Sequence, residues 1–83
     1  MEKSIYTREY GVLLRLIREA REQAGITQVE LAKKLKQSQS FVSKCERGEC
    51  RLDVIQLKTI CQALGVSLSD FVNRLEGELR KRL

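Results

Sequence analysis

Ile26–Gly48, ITQVELAKKLKQSQSFVSKCERG, is the stretch that decides how this chain folds. Thr27-Gln28-Val29-Glu30 has the T-x-x-E form of a capping box, in which the Thr27 hydroxyl takes the N3 amide and Glu30 reaches back to the cap amide. It opens a helix over 28–35 whose apolar positions, Leu31, Ala32 and Leu35, share one face at helical spacing. Ala32 is small, as a close crossing of two helix backbones requires. Lys36-Gln37 breaks the pattern, and Ser38 is a second N-cap, its hydroxyl able to accept an orphan amide. The next helix covers 39–47 with Val42 and Cys45 inward. Gly48 stops it, because glycine takes the left-handed C′ conformation without a Cβ penalty.

Two short helices separated by a turn of about three residues have the geometry of a helix-turn-helix. Gln39, Ser40, Ser43, Lys44 and Arg47 remain outward on the second helix. These are hydrogen-bonding and cationic side chains, the types that read base edges and phosphates.

On these residues the segment resembles the DNA-binding core of Cro/repressor-type regulators, the XRE family. The similarity lies in T-Q-x-x-L-A at Thr27 to Ala32 and S-x-x-x-V-S-x-x-E-x-G at Ser38 to Gly48. ALGVSLSDF, from Ala63 to Phe71, resembles the segment that joins the last helices of that fold, so the likeness extends over roughly residues 9 to 75. The resemblance implies a lambda-repressor-like domain of five helices. It implies base reading by Gln39, Ser40 and Lys44, with Gln28, Ser38, Ser43 and Arg47 as backbone or nearby contacts. It also pairs Arg21 with Glu46 in a structural salt bridge between the first and third helices, where the residue types alone would also fit an ordinary surface pair. Position 36, often glycine in the family, is lysine here. A left-handed Lys36 would carry strain on the order of 1 kcal/mol.

The rest of the chain reads as helical too. There is no proline among the 83 residues, and no Asn-Gly or Asp-Gly hairpin signal. An all-α chain is expected, with helices at about 7–24, 28–35, 39–47, 53–64 and 68–82. Leu13, Leu16, Ile17, Ala20 and Ala24 form the inward stripe of the first helix, which Gly25 ends. Asp53 caps the fourth helix, which contains Val54, Leu57, Ile60, Cys61 and Leu64 and stops at Gly65. Ser67 caps the fifth. Residues 1–83 are expected to form a single domain with its helix-turn-helix core at 27–47. There is no internal repeat or low-complexity tract.

Leu68, Phe71, Val72, Leu75, Leu79 and Leu83 continue an amphipathic pattern past the length a small core needs. Leu75, Leu79 and Leu83 would then project beyond it. Phe71, Leu75 and Leu79 are thus the expected homodimer interface, with helix 68–83 as the dimerisation helix. The alternatives are a frayed tail, which Gly77 would favour, or an interface that uses Tyr6 and Tyr10 or the faces of the last two helices. Phe41, one position before inward Val42, is expected against the loop or a thymine methyl, and Lys33, Lys34 and Lys36 on a solvated face.

Composition agrees with a small globular regulator: 42% hydrophobic, 33% charged and a net charge of +5, which favours an anionic partner. No apolar run is long enough for a membrane span, and MEKSIYTREYG lacks a signal-peptide core, so a cytoplasmic protein is expected. With no histidine and no C-x-x-C pair, no metal and no cofactor are expected. The lack of histidine and of a glycine-rich phosphate loop also argues against an enzyme. Cys45 and Cys61 take inward positions, while Cys50, in the loop after Gly48, is the exposed thiol and the one where a redox switch is conceivable. The expected function is sequence-specific recognition of double-stranded DNA as a homodimeric repressor on an inverted repeat. The runner-up is a protein-interaction module, such as the antitoxin of a toxin pair, for which DNA binding is secondary and a protein partner is required.

Overall fold

The computed structural model describes residues 7–81, which form five α-helices and, among these residues, no strand. They are α1 (Arg8–Gln23), α2 (Gln28–Leu35), α3 (Gln39–Glu46), α4 (Val54–Leu64) and α5 (Leu68–Lys81). Every helix starts at a side-chain cap. The Tyr10 N–H donates to Thr7 Oγ1 at 3.0 Å, the Phe41 N–H to Ser38 Oγ at 3.1 Å and the Asp70 N–H to Ser67 Oγ at 3.0 Å. Thr27 and Glu30 form the full reciprocal box, as do Asp53 and Gln56. Each cap satisfies one of the amides a helix start leaves without a partner and stabilises the element by about 1 kcal/mol.

The core draws residues from all five helices. Leu16 on α1 and Leu31 on α2 are its most deeply buried large side chains, with Ile17, Ala32, Val42, Leu57, Ile60, Cys61, Leu64 and Phe71 around them. Small Ala32 lets α2 approach its neighbours closely. Between α2 and α3 the chain turns through Lys36, which sits at φ 59 and ψ 41 and caps α2 through its N–H. Lys36 is the one non-glycine residue with positive φ among those described, so the strain anticipated from the sequence is present.

Several expected positions move. Ala24 is exposed, because α1 ends at Gln23 and Ala24 serves as its C-cap. Val54 is 66% exposed and Ile55 68%, since α4 turns its first residues to solvent and buries Leu57, Ile60, Cys61 and Leu64. Tyr10 is buried, which removes it from any surface contact. Its hydroxyl donates to the Cys50 carbonyl at 3.1 Å and accepts the Leu52 N–H at 2.9 Å, fixing the α3–α4 loop. The Arg51 guanidinium lies over its ring, 5.1 Å from the centroid. Tyr6 and Leu83 lie outside the described residues.

Helix α5 is seated along α1 and does not run free. Phe71 is buried in the core of its own chain, so it is not an interface residue, and Leu75 and Leu79 pack partly buried against that core. The reason is electrostatic as well as apolar. Arg15 bridges Glu19 of its own helix and Glu78 of α5, both at 2.9 Å, and Arg74 reaches back to Glu19 at 3.2 Å. These cross-helix pairs hold the last turns of α5 in place.

Candidate nucleic-acid interface

Ser38 opens α3, and inward Val42 and Cys45 set its roll. That roll leaves Gln39, Ser40, Lys44 and Arg47 exposed, with Ser43 half-buried. Phe41 is half-buried against the core beside Leu35 and Ile60, so it is a packing residue.

One hydrogen-bonded chain runs from α1 to the start of α3. Arg21 donates from Nε to Glu46 Oε2 at 2.7 Å and from Nη2 to Glu46 Oε1 at 3.2 Å, a bidentate fork, while its Nη1 donates to the Ile26 carbonyl at 2.9 Å. The pair is well shielded, with side chains 11% and 7% exposed. Gln28, the first residue of α2, donates from Nε2 to Glu46 Oε1 at 3.0 Å. Its own Oε1 then accepts from Gln39 Nε2, again at 3.0 Å, at the first residue of α3. Glu46 thus accepts three donors, and the amide of exposed Gln39 is held by a relay rooted in the core. The Gln28–Gln39 link means that Gln28 faces α3, where the resemblance alone had it touching backbone. Two glutamines that each begin a helix of the motif were a usable signal for this contact.

Arg47, at the other end of α3, is already engaged. It forks onto Glu49 at 3.0 and 3.1 Å and also donates to Ser43 Oγ. The Glu49 carboxylate holds the Arg47 guanidinium above its ordinary pKa, and Arg47 holds Glu49 below the usual carboxylate range. Ser43 and Arg47 are therefore brought together with an acid that sequence reading had not linked to them. Lys44, in the last turn of α3, is exposed and makes no side-chain bond among the described residues. Ser38 spends its hydroxyl on capping α3, which leaves it at the edge of this surface.

A tight turn, a short helix presenting an oriented amide, hydroxyls and cations, and an uninvolved core behind it suit a helix laid in a DNA groove. A helix-turn-helix family model matches residues 17–71, which is more than half the chain. Among solved structures, an XRE-family like protein from Pseudomonas syringae pv. tomato str. DC3000 is 47% identical, with a TM-score of 0.80 over 84% of this chain and 85% of that one. The clp gene regulator ClgR from Corynebacterium glutamicum is 28% identical, with a TM-score of 0.78 over 92% and 81%. The wild-type restriction-modification controller protein C.Esp1396I is also 28% identical, with a TM-score of 0.82 over 92% and 99%. No match was found among curated proteins. No helix among the described residues is long and apolar enough to cross a membrane. By its matched motif, its five-helix fold and these relatives, the chain belongs to the XRE-type helix-turn-helix family of DNA-binding regulators.

Proposed function

We propose that this chain is a sequence-specific transcriptional repressor that binds an inverted repeat in double-stranded DNA as a homodimer, with α3 in the major groove. The observation that carries the reading is the relay Arg21–Glu46–Gln28–Gln39. One Gln39 amide hydrogen goes to Gln28, which orients the other hydrogen and Oε1 outward as an adjacent donor and acceptor. That is the pattern adenine answers in the major groove, with N7 accepting and the N6 amino group donating. A side chain already held in its reading geometry loses less rotamer freedom on binding. Ser40 and Lys44 flank it on the exposed surface, so base reading is assigned to Gln39, Ser40 and Lys44. Gln28, Ser38, Ser43 and Arg47 are assigned to phosphate or nearby contacts, and Arg47 must exchange Glu49 for phosphate to make its own.

For the dimer, α5 offers an apolar flank that turns from buried Phe71 through partly buried Leu75 and Leu79 to Val72, which is 43% exposed. Two copies joined there would present two α3 helices to successive major-groove faces ~34 Å apart. The same flank supports residues 68–83 as the dimerising part of a one-domain chain. The relay is tested with Gln39→Ala against selected and random duplexes. The expected loss is about 1–3 kcal/mol on the selected site alone, with preference relaxed at one base pair. Equal loss on both duplexes would remove Gln39 from base reading.

A further inference from the structure

At the end of α3 the chain makes a turn that brings two thiols together. The Glu49 N–H donates to the Lys44 carbonyl at 2.9 Å and the Gly48 N–H to the Cys45 carbonyl at 3.1 Å, the paired bonds of a Schellman motif. Gly48 supplies the left-handed residue at φ 82. The turn carries Cys50 back over the last helical turn, and the Cys45 and Cys50 sulfurs lie 2.9 Å apart in hydrogen-bonding contact. A second, independent constraint keeps Cys50 there, because its carbonyl is held by the buried Tyr10 hydroxyl, which the Leu52 N–H also anchors. The sulfur separation exceeds a disulfide bond by only about 0.9 Å.

We propose that Cys45 and Cys50 are a redox-active dithiol, a modification site that hydrogen peroxide converts to an intramolecular disulfide at the C-terminal end of α3. The two thiols divide the work by environment. Cys45 is buried, and burial, together with the hydrogen bond its protonated thiol can give to Cys50, pushes that thiol up to about 12. Cys50 is the more accessible sulfur and is the attacking one. Its thiolate attacks one peroxide oxygen and breaks the O–O bond, giving a Cys50 sulfenic acid and hydroxide, which takes up the thiol proton to leave water. The Cys45 sulfur then attacks the Cys50 sulfur, the S–O bond breaks, and the departing hydroxide takes the Cys45 proton as a second water. Overall two thiols lose two electrons and two protons, and one peroxide becomes two waters. Dithiothreitol reverses the change by thiol–disulfide exchange. Cys61 lies within the core on α4, where burial raises its thiol, and takes no part.

The test treats the full chain with one equivalent of hydrogen peroxide, denatures it in iodoacetamide and maps the tryptic peptides. The expected result is a fall in alkylated cysteines from three per chain to one. The peptides Cys45–Arg47 and Gly48–Arg51 should be joined within a single chain, and the link should vanish in dithiothreitol. Cys61→Ser should leave the link intact. Cys45→Ser should instead let a sulfenic acid accumulate on Cys50, trapped by dimedone. Both cysteines alkylated after oxidation, a Cys50 sulfinic acid without the link, or a bridge between two chains would overturn the proposal.

Discussion

Replacing Glu46 by alanine should cost this domain about 3–5 kcal/mol, because it leaves the Arg21 charge shielded from solvent without its partner. The magnitude follows from the geometry. Glu46 accepts two bonds from Arg21 and one from Gln28, and the Arg21 side chain is only 11% exposed. Only the Ile26 carbonyl would remain to it as an acceptor. Hydrogen bonds to charged groups are each worth roughly 1.5–3 kcal/mol, so the lost bonds alone reach this range. In a domain of this size, 1 kcal/mol moves the melting temperature by about 4–8 °C. A drop of at least ~12 °C is therefore expected in a thermal melt followed by circular dichroism. Arg21→Ala in the wild-type and Glu46→Ala backgrounds completes a double-mutant cycle, and the second substitution should cost much less once the first is made. Melting changes under about 1 kcal/mol with no coupling would place the pair among ordinary surface bridges. The pair would then neither lock α1 to α3 nor root the Gln39 relay.

Three smaller changes follow from the same contacts. Lys36→Gly should stabilise the domain by about 0.5–1 kcal/mol, the relief of left-handed strain less the added freedom of the unfolded chain; a lowered melting temperature would contradict the strain. Gly77→Ala should add about 0.5–1 kcal/mol, since Gly77 lies inside α5 and a Cβ there meets nothing within 4 Å. An unchanged or lower melting temperature would mean that the last turns of α5 are not helical in solution. The third concerns acid. Arg15 first, then Lys81, hold Glu78 below its ordinary value of 4.5, so its contribution to stability is complete above that pH and is lost as pH falls through the depressed folded value. The stability gap between wild type and Glu78→Gln should be widest at neutral pH and close on acidification; a gap that stays constant would show that the α1–α5 pair contributes through shape alone.

Helix ends were legible in the sequence because their causes are local. Thr27 with Glu30, Ser38 and Asp53 sit within three residues of the amides they cap, and Lys36 stands at a position where the turn leaves one backbone conformation. The exposed set on α3 was legible for the same reason, since Val42 and Cys45 fix its roll. What escaped depends on how helices cross. Tyr10 reads only as a candidate interface aromatic until α1 brings its hydroxyl to a loop 40 residues away. The seating of α5 rests on Arg15 meeting Glu78 across 63 residues, which no helical periodicity encodes. Val54 and Ala24 fit their apolar patterns but sit where a helix starts or stops, beyond the reach of the core. The Gln28–Gln39 contact lies between these cases. Both residues begin a helix, but only the tight left-handed turn brings their amides within 3.0 Å.

In vitro selection from random duplex DNA asks whether α3 reads an inverted repeat as part of a dimer. The purified protein would be used at near-physiological salt, so that phosphate contacts alone do not dominate retention. Base reading by a dimer should return a two-fold symmetric motif with half-sites about one helical turn apart, and loss of one adenine preference per half-site in Gln39→Ala. Retention of duplex DNA without enrichment of any sequence would contradict it, and would leave this surface with electrostatic attraction but no base reading.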